Sequence, residues 1–205
     1  MLKDLENLNK QLCVSTSVIF LLVTFLIPLT CFAHVPYFES KIIRDISISQ
    51  VHYYETSVPG SKEIIILSNG EKLYLMFAVP KIDRLKDFKP RFKILSPEGI
   101  TVLDFDTKDV EPRIYHEEFG DTYEWIYFER EYDTIAGEYK MIIDYDKPGK
   151  FWIAVGKAEK FEIIDILALP ITIARVRLFH EEFPVPRWGW ILIALGLITI
   201  SFFRQ

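Results

Sequence analysis

The residues best suited to hold a metal ion in this 205-residue chain are its four histidines, and one of them occupies an unusual place. His34 directly follows Cys31-Phe32-Ala33, which offers small residues at the two positions a signal peptidase reads. Cleavage between Ala33 and His34 would make His34 the mature N-terminus. Its α-amine and imidazole could then chelate one copper ion together, with a further imidazole from His52, His116 or His180 completing a three-nitrogen site. The candidate metal ligands are therefore His34, His52 and His116. The plainer reading is that a protein begins with histidine by chance, and Pro36 rather than another ligand follows closely.

Oxygen ligands offer a second possibility. Asp104, Asp106 and Asp109, and then Glu117, Glu118, Asp121 and Glu124, form two acidic clusters of the kind that can bind calcium. Neither follows the EF-hand spacing, and charged loops are ordinarily just solvated. There is no Gly-x-Ser-x-Gly, His-Glu-x-x-His, phosphate-binding glycine loop or Cys-x-x-Cys. Glu117 and Glu118 are neighbours, so on a strand they point to opposite faces and cannot act as a glycosidase pair. Nothing here supports an enzyme, and no catalytic residue is assigned.

The ends of the chain indicate where such sites would work. Ser17 to Ala33 is apolar and uncharged, preceded by Lys3 and Lys10, and reads as an export signal over residues 1–33. An uncleaved anchor is the alternative, since Leu12 to Ala33 is about long enough to span a bilayer. Trp188 to Phe203 is again uncharged, with Trp188 and Trp190 suited to one interface and Arg204 to the other. Residues 188–203 are therefore expected to form a transmembrane helix. The bulk of the chain would then lie outside the cytoplasm at the cell membrane, with the lipid bilayer as one partner. Both cysteines, Cys13 and Cys31, belong to the signal, so the mature chain would have no disulfide. Lys3 and Lys10 cancel Asp4 and Glu6, and the net charge of −5 survives cleavage. An acidic outer domain is a poor fit to nucleic acid.

Between the ends, residues 34–160 carry strand and turn signals. Glu63 to Leu67 and Lys72 to Val79 flank Ser68-Asn69-Gly70-Glu71, which predicts a hairpin with a type I′ turn at Asn-Gly. Arg91 to Leu95 and Ile100 to Phe105 bracket a second turn at Ser96-Pro97-Glu98-Gly99. Glu124 to Arg130, Glu138 to Tyr145 and Phe151 to Val155 follow. Seven or eight short strands without an intervening helix predict an all-β fold, an antiparallel sandwich. On the strand through Trp125, alternation puts Trp125, Tyr127 and Glu129 on one face and Ile126 and Phe128 on the other. Both faces are then apolar, which favours a covering partner.

Residues 161–187 differ. Phe161 to Phe183 is rich in Ile and Leu but interrupted by Asp165 and Pro170. A Pro-kinked helix at the membrane surface, with Arg175 and Arg177 toward headgroups, and a helix packed under the sandwich fit equally well.

The stretch from Glu63 to Gly156 resembles the bacterial pre-peptidase C-terminal domain. The resemblance rests on NGEKLYLMF (69–77), PRFKILSPEG (90–99) and AGEYKMIIDYDKPGKFWIAVG (136–156). It implies a jelly-roll-like sandwich and a non-catalytic accessory module, some members of the family binding calcium or carbohydrate. The chain departs from the family in carrying its own membrane helix and no attached peptidase. The expectation is a membrane-anchored binding or accessory module, a subunit or scaffold with a membrane or surface protein partner. Copper binding through His34, and calcium or carbohydrate binding, are the alternatives.

Overall fold

The computed structural model describes residues 35–118, 120–160 and 162–202. The expected signal (1–33), both cysteines and His34 lie outside the described residues. Strands β1 (Val35–Phe38), β2 (Ile42–Ile43), β3 (Gln50–Thr56), β4 (Gly60–Asn69), β5 (Leu73–Pro80), β6 (Arg91–Leu95), β7 (Thr101–Asp106), β8 (Arg113–Glu117), β9 (Thr122–Tyr132), β10 (Ala136–Tyr145) and β11 (Gly149–Val155) come first. Helices α1 (Ile163–Phe179) and α2 (Arg187–Phe202) follow. The expected β-sandwich is present. One sheet has six strands in the order β1-β3-β11-β5-β9-β8, and the other has five in the order β2-β4-β10-β6-β7. Most neighbours are antiparallel, but β1 runs parallel to β3 and β2 parallel to β4.

Aromatic side chains fill the space between the sheets. Tyr54, Phe151 and Phe77 stack in a row along the six-stranded sheet, at centroid distances of 5.1 and 5.5 Å. Phe92 from the opposite sheet stacks on Phe77 at 4.8 Å, and Phe128 meets Phe92 edge-on at 5.3 Å. Phe77, Phe92 and Phe151 are fully buried. Each such ring removes 150–250 Å² from water, which makes this column the main source of cohesion between the sheets.

The hairpin expected at Asn69-Gly70 is not one. β4 pairs with β10 and β2, whereas β5 pairs with β11 and β9, so this tight connection carries the chain from one sheet to the other. Only Gly70 takes a positive φ there, at 95°, and Asn69 does not, so the turn is not type I′. Side chains hold it instead: Ser68 Oγ accepts the Gly70 N–H at 2.9 Å and Glu71 Oε2 accepts the Asn69 N–H at 2.6 Å. The Ser96–Gly99 turn does close a hairpin, with β6 and β7 paired and Gly99 at φ 79°.

The alternation expected around Trp125 is broken by a bulge. Phe77 pairs with Phe128 and Ala78 with Ile126, leaving Tyr127 as the extra residue. Tyr127 and Phe128 therefore both enter the core, while Ile126 packs on the outside of the six-stranded sheet. That outer face is apolar because α1 covers it. Val176 and Phe179 of α1 pack on Val51, Tyr53, Ala78, Ile126, Trp152 and Ala154. Of the two readings of this segment, packing on the sandwich holds for the second half of α1.

Candidate functional site

The chain reaches α1 through a tight crossing. Gly156 directly follows β11 at φ 71°, where a Cβ would stand 2.1 Å from the Ile48 carbonyl oxygen. Ala158 then bridges to Ile48, and Ser49 donates to the Ala158 carbonyl at 2.8 Å. A capping box opens α1. The Glu162 N–H donates to Asp165 Oδ2 at 2.8 Å while the Glu162 side chain accepts from the backbone of Asp165. Asp165 thus caps the helix.

Where α1 ends, three polar clusters fasten it to the sheet. The deepest is built on Glu124 of β9, whose carboxylate takes the Trp152 Nε1–H at 2.8 Å, the Thr122 hydroxyl at 3.1 Å and His180 Nε2 at 2.5 Å. His180 Nδ1 lies 2.7 Å from the Val176 carbonyl oxygen. With oxygen acceptors at both ring nitrogens, the ring is satisfied as an imidazolium facing a carboxylate. Burial pulls the His180 pKa down, but the Glu124 charge and hydrogen bond outweigh it, and the net shift is upward. Glu124 and His180 are 2% and 5% exposed, so no substrate reaches them.

The second cluster surrounds Asp121, at φ 53° in the turn between β8 and β9. Its carboxylate accepts the Arg187 backbone N–H at 2.9 Å, the Arg187 Nε–H at 2.8 Å and His116 Nε2 at 3.1 Å. These contacts, led by the Arg187 guanidinium, hold its carboxyl well below the usual carboxylate range. Arg177 of α1 lies 3.7 Å from the same carboxylate and donates to the carbonyls of Gly120 and Asp121 at 2.6 and 2.9 Å. Arg177 is buried. The sequence had assigned it to water or headgroups. In the third cluster Lys150 donates to the Phe179 carbonyl at 2.9 Å and pairs with Glu181 at 3.1 Å, while Arg84 pairs with the same Glu181. The first residue of α2 is therefore tied directly to the sandwich.

Outward, α1 is bare. Ile164, Ile171 and Leu178 are exposed at a spacing of seven, one stripe of the helix. Phe183 stacks on Trp190 at 5.5 Å, both exposed, and Ile191 and Ile193 of α2 are exposed as well. Arg175 is exposed and lies 4.2 Å from the Phe38 ring centre. α2 has sixteen residues, about 24 Å at 1.5 Å each. No helix among the described residues is long and apolar enough to cross a membrane.

Of the histidines proposed as metal ligands, the two among the described residues, His52 and His116, do not converge. His52 is on β3 and His116 on β8, with β11, β5 and β9 between them. His52 stacks on Tyr37 at 5.0 Å, and its buried Nδ1 has no hydrogen-bond partner among the described residues. Burial alone lowers its pKa to about 4. His116 stacks on Tyr123 at 4.5 Å and serves Asp121. Among the described residues no group of three or more His, Cys, Asp or Glu is arranged to hold a metal ion. In the acidic clusters, Asp104 pairs with Arg91, and Asp121 and Glu124 are taken by the helix junction. Sequence reasoning did not single out the pairs Glu124–His180, Asp121–Arg187 and Asp121–Arg177, whose members lie 56 to 66 residues apart. The available signal was three cations, Arg175, Arg177 and Arg187, in a tail rich in Ile and Leu.

No family model matches the chain, and no curated protein matches it. Among solved structures it is similar to the CspB protease of Clostridium perfringens at 16% identity and a TM-score of 0.31, covering 56% of this chain and 27% of that one. It is also similar to PliG of Aeromonas hydrophila, a periplasmic inhibitor of g-type lysozyme, at 5% identity and a TM-score of 0.32, covering 59% of this chain and 98% of that one. PliG of Salmonella Typhimurium gives 9% identity and a TM-score of 0.30, covering 57% and 98%. The chain spans about a quarter of the protease, and likenesses this distant carry no argument about what it does.

Proposed function

We propose that the protein is a non-catalytic accessory module held on the outer face of the cell membrane by α2. The observation that carries this reading is the junction at Asp121. A β-sandwich with a buried core grips Arg187, the first residue of a helix that is uncharged beyond it, through a buried carboxylate, and Arg177 braces the same carboxylate from α1. Such a joint is suited to holding a domain in a fixed attitude beside a membrane rather than letting it swing on a tether.

Surface chemistry supports the same reading. Phe183, Trp190, Ile191 and Ile193 put large apolar side chains on either side of Arg187. The two tryptophans near the start of α2 suit the interface, where an apolar ring body and a polar N–H are both accommodated. α2 is shorter than a ~30 Å hydrocarbon core, a mismatch that local thinning of the bilayer or flanking anchors such as Arg204 would absorb. At the helix junction Asp121, Glu124, Arg177 and His180 are buried and mutually satisfied, which fits a structural joint better than an active centre.

The test is labelling of intact cells expressing a variant with Cys13 and Cys31 replaced by serine and Ile135, exposed on the sandwich, replaced by cysteine. A membrane-impermeant maleimide is expected to label Ile135→Cys before lysis. Labelling only after lysis would overturn the outward orientation.

A further inference from the structure

Among the described residues each sheet ends in strands with an unpaired side, and these edges differ in how they are protected. β1 has four residues and β2 two, too short to template another strand. β7 carries Asp104 and Asp106, so a second copy laid against it would meet like charge. β8 is different. Among the described residues it pairs only with β9; it spans five residues and exposes Ile114 (58%) and Tyr115 (40%). It has no proline, no bulge and no lysine, the usual means of keeping an edge from pairing.

The β8 sequence Arg-Ile-Tyr-His-Glu is complementary to itself when reversed. Antiparallel pairing of two copies centred on Tyr115 sets Arg113 of each copy opposite Glu117 of the other, Ile114 opposite His116, and the two tyrosines opposite each other. Arg113, Tyr115 and Glu117 alternate onto one face of the strand, so the opposite charges meet on a shared face, where such pairs favour association. Arg113 already lies across the Tyr115 ring at 5.6 Å and reaches Glu129 at 2.8 Å. Its guanidinium has donors enough for a second carboxylate. A shift of register by two residues would destroy both charge pairs at once.

We propose that β8 is a self-association edge through which two copies of the chain join their six-stranded sheets into one antiparallel sheet. A five-residue seam buries far less than the ~1,000 Å² expected of a stable soluble dimer. Pairing therefore operates between copies concentrated in one membrane, and in this respect only the proposal rests on the membrane reading.

The experiment uses the full chain in membranes, with Cys13 and Cys31 replaced by serine and single cysteines introduced. Tyr115→Cys is expected to form a disulfide-linked dimer on mild oxidation, because facing residues of an antiparallel pair have Cα atoms about 4.5–5.5 Å apart. Co-expressed Arg113→Cys and Glu117→Cys chains should cross-link to each other. Neither should link to itself, since the two copies of position 113 would be offset by four residues, roughly 13 Å. Val102→Cys on β7 is the control and should stay monomeric. Adding Arg113→Glu to Tyr115→Cys should abolish the dimer while leaving the melting midpoint in place, since Arg113 is exposed. Glu117 also accepts the Gly120 N–H, so if Glu117→Cys does not fold, Ile114→Cys with His116→Cys provides the same register test. No dimer at position 115, or equal linking at 102, 113 and 115, would overturn the proposal. In-register links from a chain that is not membrane-bound would keep the pairing and discard the membrane reading.

Discussion

Glu124 Oε1 and His180 Nε2 meet at 2.5 Å beneath the end of α1, the carboxylate on the sheet and the imidazole on the last turn of the helix. Trp152 and Thr122 donate to the same carboxylate. Removing the carboxylate strands a charged ring, an indole N–H and a hydroxyl in a buried space. Glu124→Ala should therefore lower stability by about 3–5 kcal/mol in urea unfolding. A loss under 1 kcal/mol would mean that the pair is not formed.

The two buried histidines should give stability a maximum in pH, by opposite mechanisms. The folded His180 pKa lies above its unfolded value of about 6.5, so its contribution is complete below that pH and is lost as pH rises through the folded value. His52 is held neutral by burial, with a folded pKa of about 4. Between about 6.5 and 4 the unfolded chain binds a proton that the folded chain refuses, so stability is lost as pH falls through that window, by up to about 3 kcal/mol. Urea midpoints across the range should fall on both sides. His180→Gln should flatten the alkaline limb and His52→Phe the acid limb. Limbs unchanged by both substitutions would contradict the assignment.

Asp121→Ala should loosen the joint between sandwich and α2 and leave Arg177 with Glu182, at 3.4 Å, as its remaining carboxylate, a loss of about 1–3 kcal/mol. The local readout is limited proteolysis between Glu181 and Pro186, which should become faster in the variant. Unaltered cleavage there would show that Arg187 is not held.

Gly156 allows the chain to turn from β11 toward α1 against the Ile48 carbonyl. Gly156→Ala combines a positive φ with a clash against backbone, so a loss of about 2 kcal/mol or more in thermal unfolding is expected. A neutral substitution would mean that Gly156 does not approach the Ile48 carbonyl so closely.

Much of the fold was legible because its signals are local. Strand alternation and the Pro-Gly turn at Ser96–Gly99 located β6 and β7, and the apolar run from Phe161 located α1. The reading went astray where one residue changes the phase or where pairing is long-range. Asn69-Gly70 has the composition of a hairpin turn, yet which sheet each flanking strand joins is decided by partners far away, β10 for β4 and β9 with β11 for β5. Tyr127 is an extra residue that no propensity announces, and it shifted every assignment of faces after it. The same limit hid the helix junction. Arg177 reads as a surface cation on an amphipathic helix, and only the turn at Asp121 shows it to be buried. The metal set was suggested by the expected place of His34 at the mature N-terminus, with His52 and His116 added by residue type, and strand order keeps those two apart.

The most direct test of membrane tethering is alkaline carbonate extraction of membranes carrying the full chain or a chain ending at Arg187, which keeps the Asp121 contacts but removes the rest of α2. The full chain should remain with the membrane and the shortened chain should be released, folded, with an unchanged melting midpoint. Release of the full chain, or equal retention of both, would contradict anchoring by α2.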